Sequence, residues 1–306
     1  MGGVIVKVSD VLRFLGALAA CLVLLLLLAL RVTSCTPLEK AGPAPGTAPP
    51  PPTAEAGCAR PGWSSAARRN AQTLTDRAWA PFGRTEVGWE TYAPLLQREI
   101  GTACPPDSEG FAAAFAAWQD EQRLPADGVV GEADFQLLKN AVQSRRPVVQ
   151  LSAEGICPDT PEVIAAARPE EGYGGKLIHL RPGALSAYRR MVAAARAEVP
   201  EIAADPRNLT IFSGYRSPAA DAARCAAEGN CDGIARARCS PHRTGLALDL
   251  YVGQAPGFPP DSSADPNRLF MTRTATYRWM LANAHRYGFV NYPFEPWHWE
   301  WTGERP

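Results

Sequence analysis

The 306-residue chain is short of lysine: of its 31 basic residues only Lys7, Lys40, Lys139 and Lys176 are lysines. Its formal net charge is zero. A neutral chain offers no electrostatic footprint for nucleic acid, so none is expected as a partner. The arginine excess, together with abundant Ala and Pro, reads as GC-rich coding rather than as a functional signal. Histidine is scarce too, with only His179, His242, His285 and His298, so each can be weighed singly. A regular strand–helix–strand repeat is also missing. Helical and strand periodicities mix without alternating, which excludes a doubly wound sheet and points to α+β. The length suits two domains, or one with long appendages.

What is present begins with an apolar run. Phe14 to Leu30 are 17 residues without a charge, bracketed by Arg13 and Arg31. That is at the short end of what spans a bilayer and long for the apolar region of a cleaved signal peptide. No Ala-x-Ala site follows directly. Two lipobox-like strings end at Cys21 and Cys35; the first leaves too short an apolar run, and Arg31 abuts the second. The reading adopted is an uncleaved anchor over residues 1–36, with lipoprotein and cleaved signal as alternatives. All three place the remainder outside the cytoplasm, in the periplasm or at the cell surface. Beyond Cys21 and Cys35 there are six cysteines: Cys58, Cys104, Cys157, Cys225, Cys231 and Cys239. An even number in an exported chain reads as disulfides, in any of 15 connectivities. The rival is a Cys₃His zinc site from Cys225, Cys231, Cys239 and His242, although the spacing lacks a C-x₂₋₄-C knuckle.

Residues 37–57 are mostly Pro, Ala, Gly and Thr, an extended spacer that cannot bury a core. Residues 58–148 follow as a small helical domain. Phe111, Phe115 and Trp118 share one helix face. Asp127-Gly128 marks a turn, and a second helix over 132–142 buries Phe135 and Leu138. The last domain, 149–306, holds an amphipathic helix from Leu185 to Val199 that Pro200 stops, and a buried strand over Leu209–Ser213. A helix starts at Ser217-Pro218. A strand is expected over Leu246–Val252, a helix over Thr274–Tyr287 ending at Gly288, and a strand over Trp297–Trp301.

Two short segments carry the chemistry. Ser240-Pro-His242-Arg-Thr-Gly245-Leu-Ala247-Leu-Asp249 is followed much later by Glu295-Pro-Trp-His298. Two histidines and a carboxylate leave a tetrahedral Zn²⁺ one open position, the arrangement of a catalytic rather than a structural site. Strand alternation puts Asp249 on one face with the small Ala247 and Gly245, which leaves room for an ion and a substrate. On the last strand His298 and Glu300 share one face, and three tryptophans form an apolar face opposite. Glu300 is read as a supporting or surface group, and His179 and His285 as structural.

Ser213-Gly-Tyr215-Arg216-Ser217, Ser240-x-His242-x-x-Gly-x-Ala-x-Asp249 and Glu295-x-x-His298, in that order, resemble the VanY-type D-alanyl-D-alanine carboxypeptidases. Related D-Ala-D-Ala dipeptidases and L,D-carboxypeptidases share these motifs. The resemblance covers about Leu180 to Thr302. It implies Zn²⁺ held by His242, Asp249 and His298, Glu295 as catalytic base, and Arg216 stabilising the developing oxyanion. Ser213, Tyr215 and Ser240 stand as candidate substrate contacts. The departure is the cysteine-bearing stretch Arg224–Cys239 before the metal motif. Upstream, Gln119 followed by Leu124-Pro-Ala-Asp127-Gly128-Val-Val-Gly131 is similar to the second half of a three-helix peptidoglycan-binding domain. A helical domain without a ligand is the plain alternative.

The expected architecture is therefore α+β. A small mixed or antiparallel sheet with flanking helices carries a zinc site, preceded by a helical domain and an N-terminal membrane helix. The expected function is a zinc D,D-carboxypeptidase trimming peptidoglycan stem peptides. L,D-carboxypeptidase or endopeptidase activity on the same site is the alternative within the class, and a non-catalytic wall-binding protein the alternative outside it.

Overall fold

Helix starts in this chain follow local chemistry closely. The structure, a computed structural model, describes residues 57–229 and 239–305. The expected membrane segment, Cys21, Cys35, the Pro-rich spacer up to residue 56 and Cys231 lie outside the described residues. Within the described residues no helix is long and apolar enough to cross a membrane. Helix α1 (Ser64–Asp76) leads into a short hairpin of β1 (Ala78–Trp79) and β2 (Glu86–Val87), and then into α2 (Ala93–Glu99). Helix α3 (Glu109–Glu121) begins where the Ser108 hydroxyl accepts from the Phe111 amide at 3.2 Å, satisfying an otherwise orphaned donor. At the start of α4 (Glu132–Gln143) the Asp134 carboxylate accepts from the Gly131 amide at 2.9 Å. Pro147 opens α5 (Pro147–Ala153), where its missing N–H costs nothing.

The second half begins with a two-stranded pair, β3 (Ala165–Ala166) and β4 (His179–Leu180). Helix α6 (Pro182–Glu198) buries Leu185, Tyr188 and Met191. It stops before Pro200, as expected, and a short α7 (Pro200–Ala204) starts there. The first sheet strand is β5 (Ile211–Ser213). The expectation of a strand from Leu209 needs correction: Leu209 has φ of 65°. Its amide donates to the Tyr251 carbonyl at 2.8 Å, and its carbonyl accepts from the Tyr188 hydroxyl at 2.8 Å. Two tertiary hydrogen bonds hold a conformation that a buried, apolar residue rarely adopts alone.

Helix α8 (Pro218–Glu228) begins where the Ser217 hydroxyl accepts from the Ala220 amide. Then come β6 (Ala247–Leu250), α9 (Asp265–Arg273) and α10 (Ala275–Asn283). One turn of 3₁₀ helix, Ala284–Tyr287, prolongs α10 until Gly288 closes it at φ of 84°. Strands β7 (Phe289–Tyr292) and β8 (Glu295–Trp301) complete a four-stranded antiparallel sheet ordered β5-β6-β8-β7. The fold is a mixture of helices and small antiparallel sheets.

Leu248, Leu250, Trp297 and Trp299 are buried and pack with Tyr188, Met191, Met280 and Phe289 into one core that also takes in Phe111, Phe115 and Phe135 of the N-terminal helices. The described residues fall within one compact unit, Pro52–Pro306. Phe82, on the β1–β2 hairpin, shows how the two halves join: its ring contacts Tyr92 and Phe135 on one side and Tyr292 and Phe294 on the other. Arg268 of α9, fully buried, bonds the Tyr92 hydroxyl, the Glu86 carboxylate and the Phe294 carbonyl. A buried guanidinium persists only when such partners surround it.

Cys58 bonds Cys104, and Cys157 bonds Cys239. Cys225 is also disulfide-bonded. With Cys239 committed to Cys157, the Cys₃His alternative is excluded.

Candidate metal centre

Pairing register creates the site. Across the sheet Ser213 lies opposite Asp249, and Asp249 opposite His298. One row of three strands thus presents a hydroxyl, a carboxylate and an imidazole on the same face. One step along, Ala247 opposes Glu300; the small side chain leaves space beside the larger one. The other face carries Leu248, Leu250 and Trp299 into the core, so the polar row cannot slip by one residue without exposing that core.

His242 reaches this row from a single 3₁₀ turn, Pro241–Thr244. The turn is fixed at its start by Ser240, whose hydroxyl accepts from the His242 amide and whose own amide donates to Asp221 at 3.1 Å. Gly245 ends it with φ of 69°. Potential ligand atoms of His242, Asp249 and His298 all lie within 4.8 Å of one another, and all three residues are buried. His242 Nε2 is 3.2 Å from Asp249 Oδ2, and His298 Nδ1 is 2.8 Å from Asp249 Oδ1. Ligand atoms about 3.3 Å apart surround a tetrahedral zinc-sized ion; the His242–Asp249 pair matches that spacing, and all three residues lie close enough together to reach one ion.

The far nitrogen of each ring has an acceptor of its own. His242 Nδ1 is 2.8 Å from the Gly214 carbonyl, and His298 Nε2 is 3.3 Å from Glu300 Oε1. A carbonyl and an ionised carboxylate only accept. A proton is satisfied on each far nitrogen, so an ion that displaced the proton between His298 Nδ1 and Asp249 would meet His242 Nε2 and His298 Nδ1. Without an ion, burial opposes charge on His298, yet the two carboxylates it lies between raise it to about 9. Acceptors at the far nitrogens are the support that metal-binding imidazoles need, and the donor set fits a divalent ion.

Charge follows the same geometry. Burial opposes ionisation of Asp249, but His242 and His298 hold its carboxyl well below the usual range. Burial likewise opposes charge on Glu300, yet Arg146 and the His298 hydrogen bond keep it down at about 2. Glu295 is the exception. Burial pushes its carboxyl up, with His298 pulling down and Asp249 pushing up. It begins β8 at a register shift, where Tyr292 pairs with Glu295 while its neighbour Asn291 pairs with Trp299. The shift breaks strict alternation, and the carboxyl feels the charges of both histidines and Asp249.

Residues 177–304 match the VanY family model, described as D-alanyl-D-alanine carboxypeptidase. The match covers less than half of the chain and includes every ligand candidate. No curated protein matches the chain. A solved structure described as "Structure of the LdcB LD-carboxypeptidase reveals the molecular basis of peptidoglycan recognition" is 25% identical, with a TM-score of 0.34, over 47% of this chain and 70% of that one.

Within the VanY segment the remaining sequence candidates fall beside the cluster in different ways. Arg216 lies next to it: its amide donates to the His242 carbonyl, and Nη1 donates to the Ser240 hydroxyl at 3.0 Å. Ser213 is 3.5 Å from Arg216 Nη2. Ser240 is buried and its hydroxyl is engaged within the protein. The Tyr215 hydroxyl bonds Thr160 at 3.3 Å. His179 and His285 stand outside the cluster. The sequence reading missed Gly214, whose carbonyl orients His242, and Asp221, which anchors Ser240. Gly214 sits in the Ser213–Ser217 motif, and a Cβ there would come within 2.6 Å of the His179 carbonyl. Arg146 was missed as well, and nothing near it in sequence announces a partner in the site.

Proposed function

We propose that the protein is a zinc-dependent carboxypeptidase that removes the terminal D-alanine from peptidoglycan stem peptides. The observation that carries this reading is the buried His242–Asp249–His298 cluster, with the far nitrogen of each imidazole held by its own acceptor, inside a segment matching a carboxypeptidase family. Three protein ligands leave zinc a position for water or substrate. When bound, zinc supplies Lewis acidity, polarising a carbonyl and making water nucleophilic near neutral pH. Glu295 takes the proton of the attacking water and delivers it to the leaving amine as the carbon–nitrogen bond breaks. Arg216 faces the developing negative charge on the carbonyl oxygen, positive charge set in place before the reaction. Ser213 and Ser240 orient Arg216 rather than the peptide, and Tyr215 lines the rim.

The disulfides fit an oxidising compartment. With the apolar run at Phe14–Leu30, they support an extracytoplasmic enzyme held to the membrane by its N-terminus. The helices over 58–148 supply wall binding in this reading, and tethering then raises the local concentration of substrate. The test has two arms. Purified protein should carry about one zinc, and mass spectrometry should show pentapeptide stems losing one D-alanine. Loss from tetrapeptides alone would move the assignment to L,D-carboxypeptidase, and internal cleavage to an endopeptidase. A folded protein without affinity for zinc would overturn the hydrolase reading.

A further inference from the structure

Glu300 is fully buried two residues beyond His298 on the same face of β8, and it is gripped from outside the VanY segment. Arg146 Nε donates to Glu300 Oε1 at 2.6 Å and Nη2 approaches the same oxygen at 2.5 Å. The Val148 amide donates to Oε2 at 3.0 Å. Pro147 between them has no N–H, so Val148 offers the first free amide of α5. Arg146 is itself held by the Gln143 amide oxygen at 2.6 Å and lies 4.2 Å from the centre of the Tyr292 ring. Both charged side chains are almost wholly shielded from water. A buried pair of this kind is costly to assemble and poor evidence of a purely stabilising role. Among the described residues, every partner of the Glu300 carboxylate comes from the 146–148 junction except one, and that one is His298 Nε2.

We propose that Glu300 is the positioning residue for metal ligand His298, and that Arg146 and the Val148 amide set Glu300 in place. The inference rests on the zinc reading above. By accepting at Nε2, Glu300 keeps the ring's proton there and turns Nδ1 toward Asp249 and the ion. By gripping both oxygens, the junction at 146–148 fixes the carboxylate along β8. The metal centre is then completed by residues that lie before the family match, and the helical half of the protein takes part in building it.

The test uses the full chain. Arg146→Met with Glu300→Gln, and Arg146→Met with Glu300→Met, both remove the ion pair; only the Gln variant leaves an acceptor for His298. Zinc affinity is measured by competition with a chelating dye. The Gln double variant should stay within a few-fold of wild type, and the Met double variant should bind roughly 10–100-fold more weakly. Equal affinities in the two would reduce Glu300 to a structural role. Histidine side-chain ¹⁵N spectra of the zinc-loaded wild type give a second readout that no folding defect can blur. His298 should show its proton on Nε2 and the metal on Nδ1, and the reverse would overturn the proposal. A wild type that binds no zinc would sink the zinc reading instead, before either double variant is compared.

Discussion

Replacing Glu295 by Gln keeps the shape of the side chain and removes its ability to take a proton. Glu295 is not among the three ligands, so zinc content should match that of wild type. The loss should fall on the chemical step. A positioned general base contributes about 10²–10⁴-fold, which at about 1.4 kcal/mol per tenfold amounts to roughly 3–5 kcal/mol of transition-state stabilisation. The loss should appear in kcat, with KM little changed. The pH profile adds a second signature. Burial raises the Glu295 carboxyl above its ordinary value of 4.5. In the metal-free chain the acid form therefore persists to higher pH than in an exposed glutamate; bound zinc pulls the other way, and wild-type kcat/KM should climb as pH rises through the value the two together set. In Glu295→Gln the limb assigned to this group should vanish from the residual activity. The assay is D-alanine release from a pentapeptide stem, with zinc measured on the same samples. Near-wild-type turnover would remove Glu295 from its role, and loss of zinc in step with activity would make it a ligand rather than a base.

Gly214→Ala puts a Cβ 2.6 Å from the His179 carbonyl and 2.8 Å from Ile178 Cγ2, so the strand must shift and the carbonyl that holds His242 Nδ1 shifts with it. Zinc affinity should fall about tenfold or more while the fold persists, and unchanged affinity in the chelator competition would detach that carbonyl from the site. Outside the His242–Asp249–His298 cluster, Glu171 accepts from Arg168 and Arg189 side chains and from the Arg168 amide at 2.7 Å. Burial works against its charge, but Arg189 and Arg168 bring its carboxyl down from 4.5 to about 2. A depressed carboxyl stabilises the fold above its unfolded value and loses that contribution as pH falls from about 4.5 toward about 2. Glu171→Gln should therefore cost about 2 kcal/mol at pH 7, with the gap to wild type closing below pH 4.5 in urea unfolding; a gap independent of pH would refute the assignment.

The three clustered residues were legible as candidate ligands because much of their spacing is local. His242 and Asp249 are seven residues apart, and the Glu-x-x-His that opens β8 is visible in one line. Helices α3, α4 and α6 were legible for the same reason: caps and apolar periodicity lie within each segment. Helix α9 was not, because Asn267 and Arg268 occupy its buried face and erase the apolar stripe that periodicity looks for. Leu209 reads as strand and is not, since its backbone is set by Tyr188 and Tyr251 rather than by its neighbours. Arg146 is the largest omission. It sits in an Arg-Arg-Pro junction whose plain reading is a solvated linker, and its partner lies 154 residues away. Glu300 was seen on the correct face of β8, but its burial depends on that unseen partner. Distances of this kind are set by tertiary packing, which no window of sequence contains.

Three carboxylates lie within this site, and their surroundings push them apart. Glu300 has a guanidinium, a backbone amide and an imidazole N–H, and stays ionised at about 2. Asp249 lies between two imidazoles and is held low by both. Glu295 receives no side-chain hydrogen bond among the described residues, and burial raises it. A carboxylate saturated with donors has no basicity left to offer a water, which removes Glu300 from candidacy although it is closer to His298 in sequence than Glu295 is. A carboxylate facing two ligand imidazoles is the better place for a cation, which removes Asp249. The group with a raised affinity for protons and no competing donor is the one suited to take a proton and release it within one turnover. Divergent environments of this sort favour the proposed roles more firmly than proximity does, because all three groups surround the same cluster.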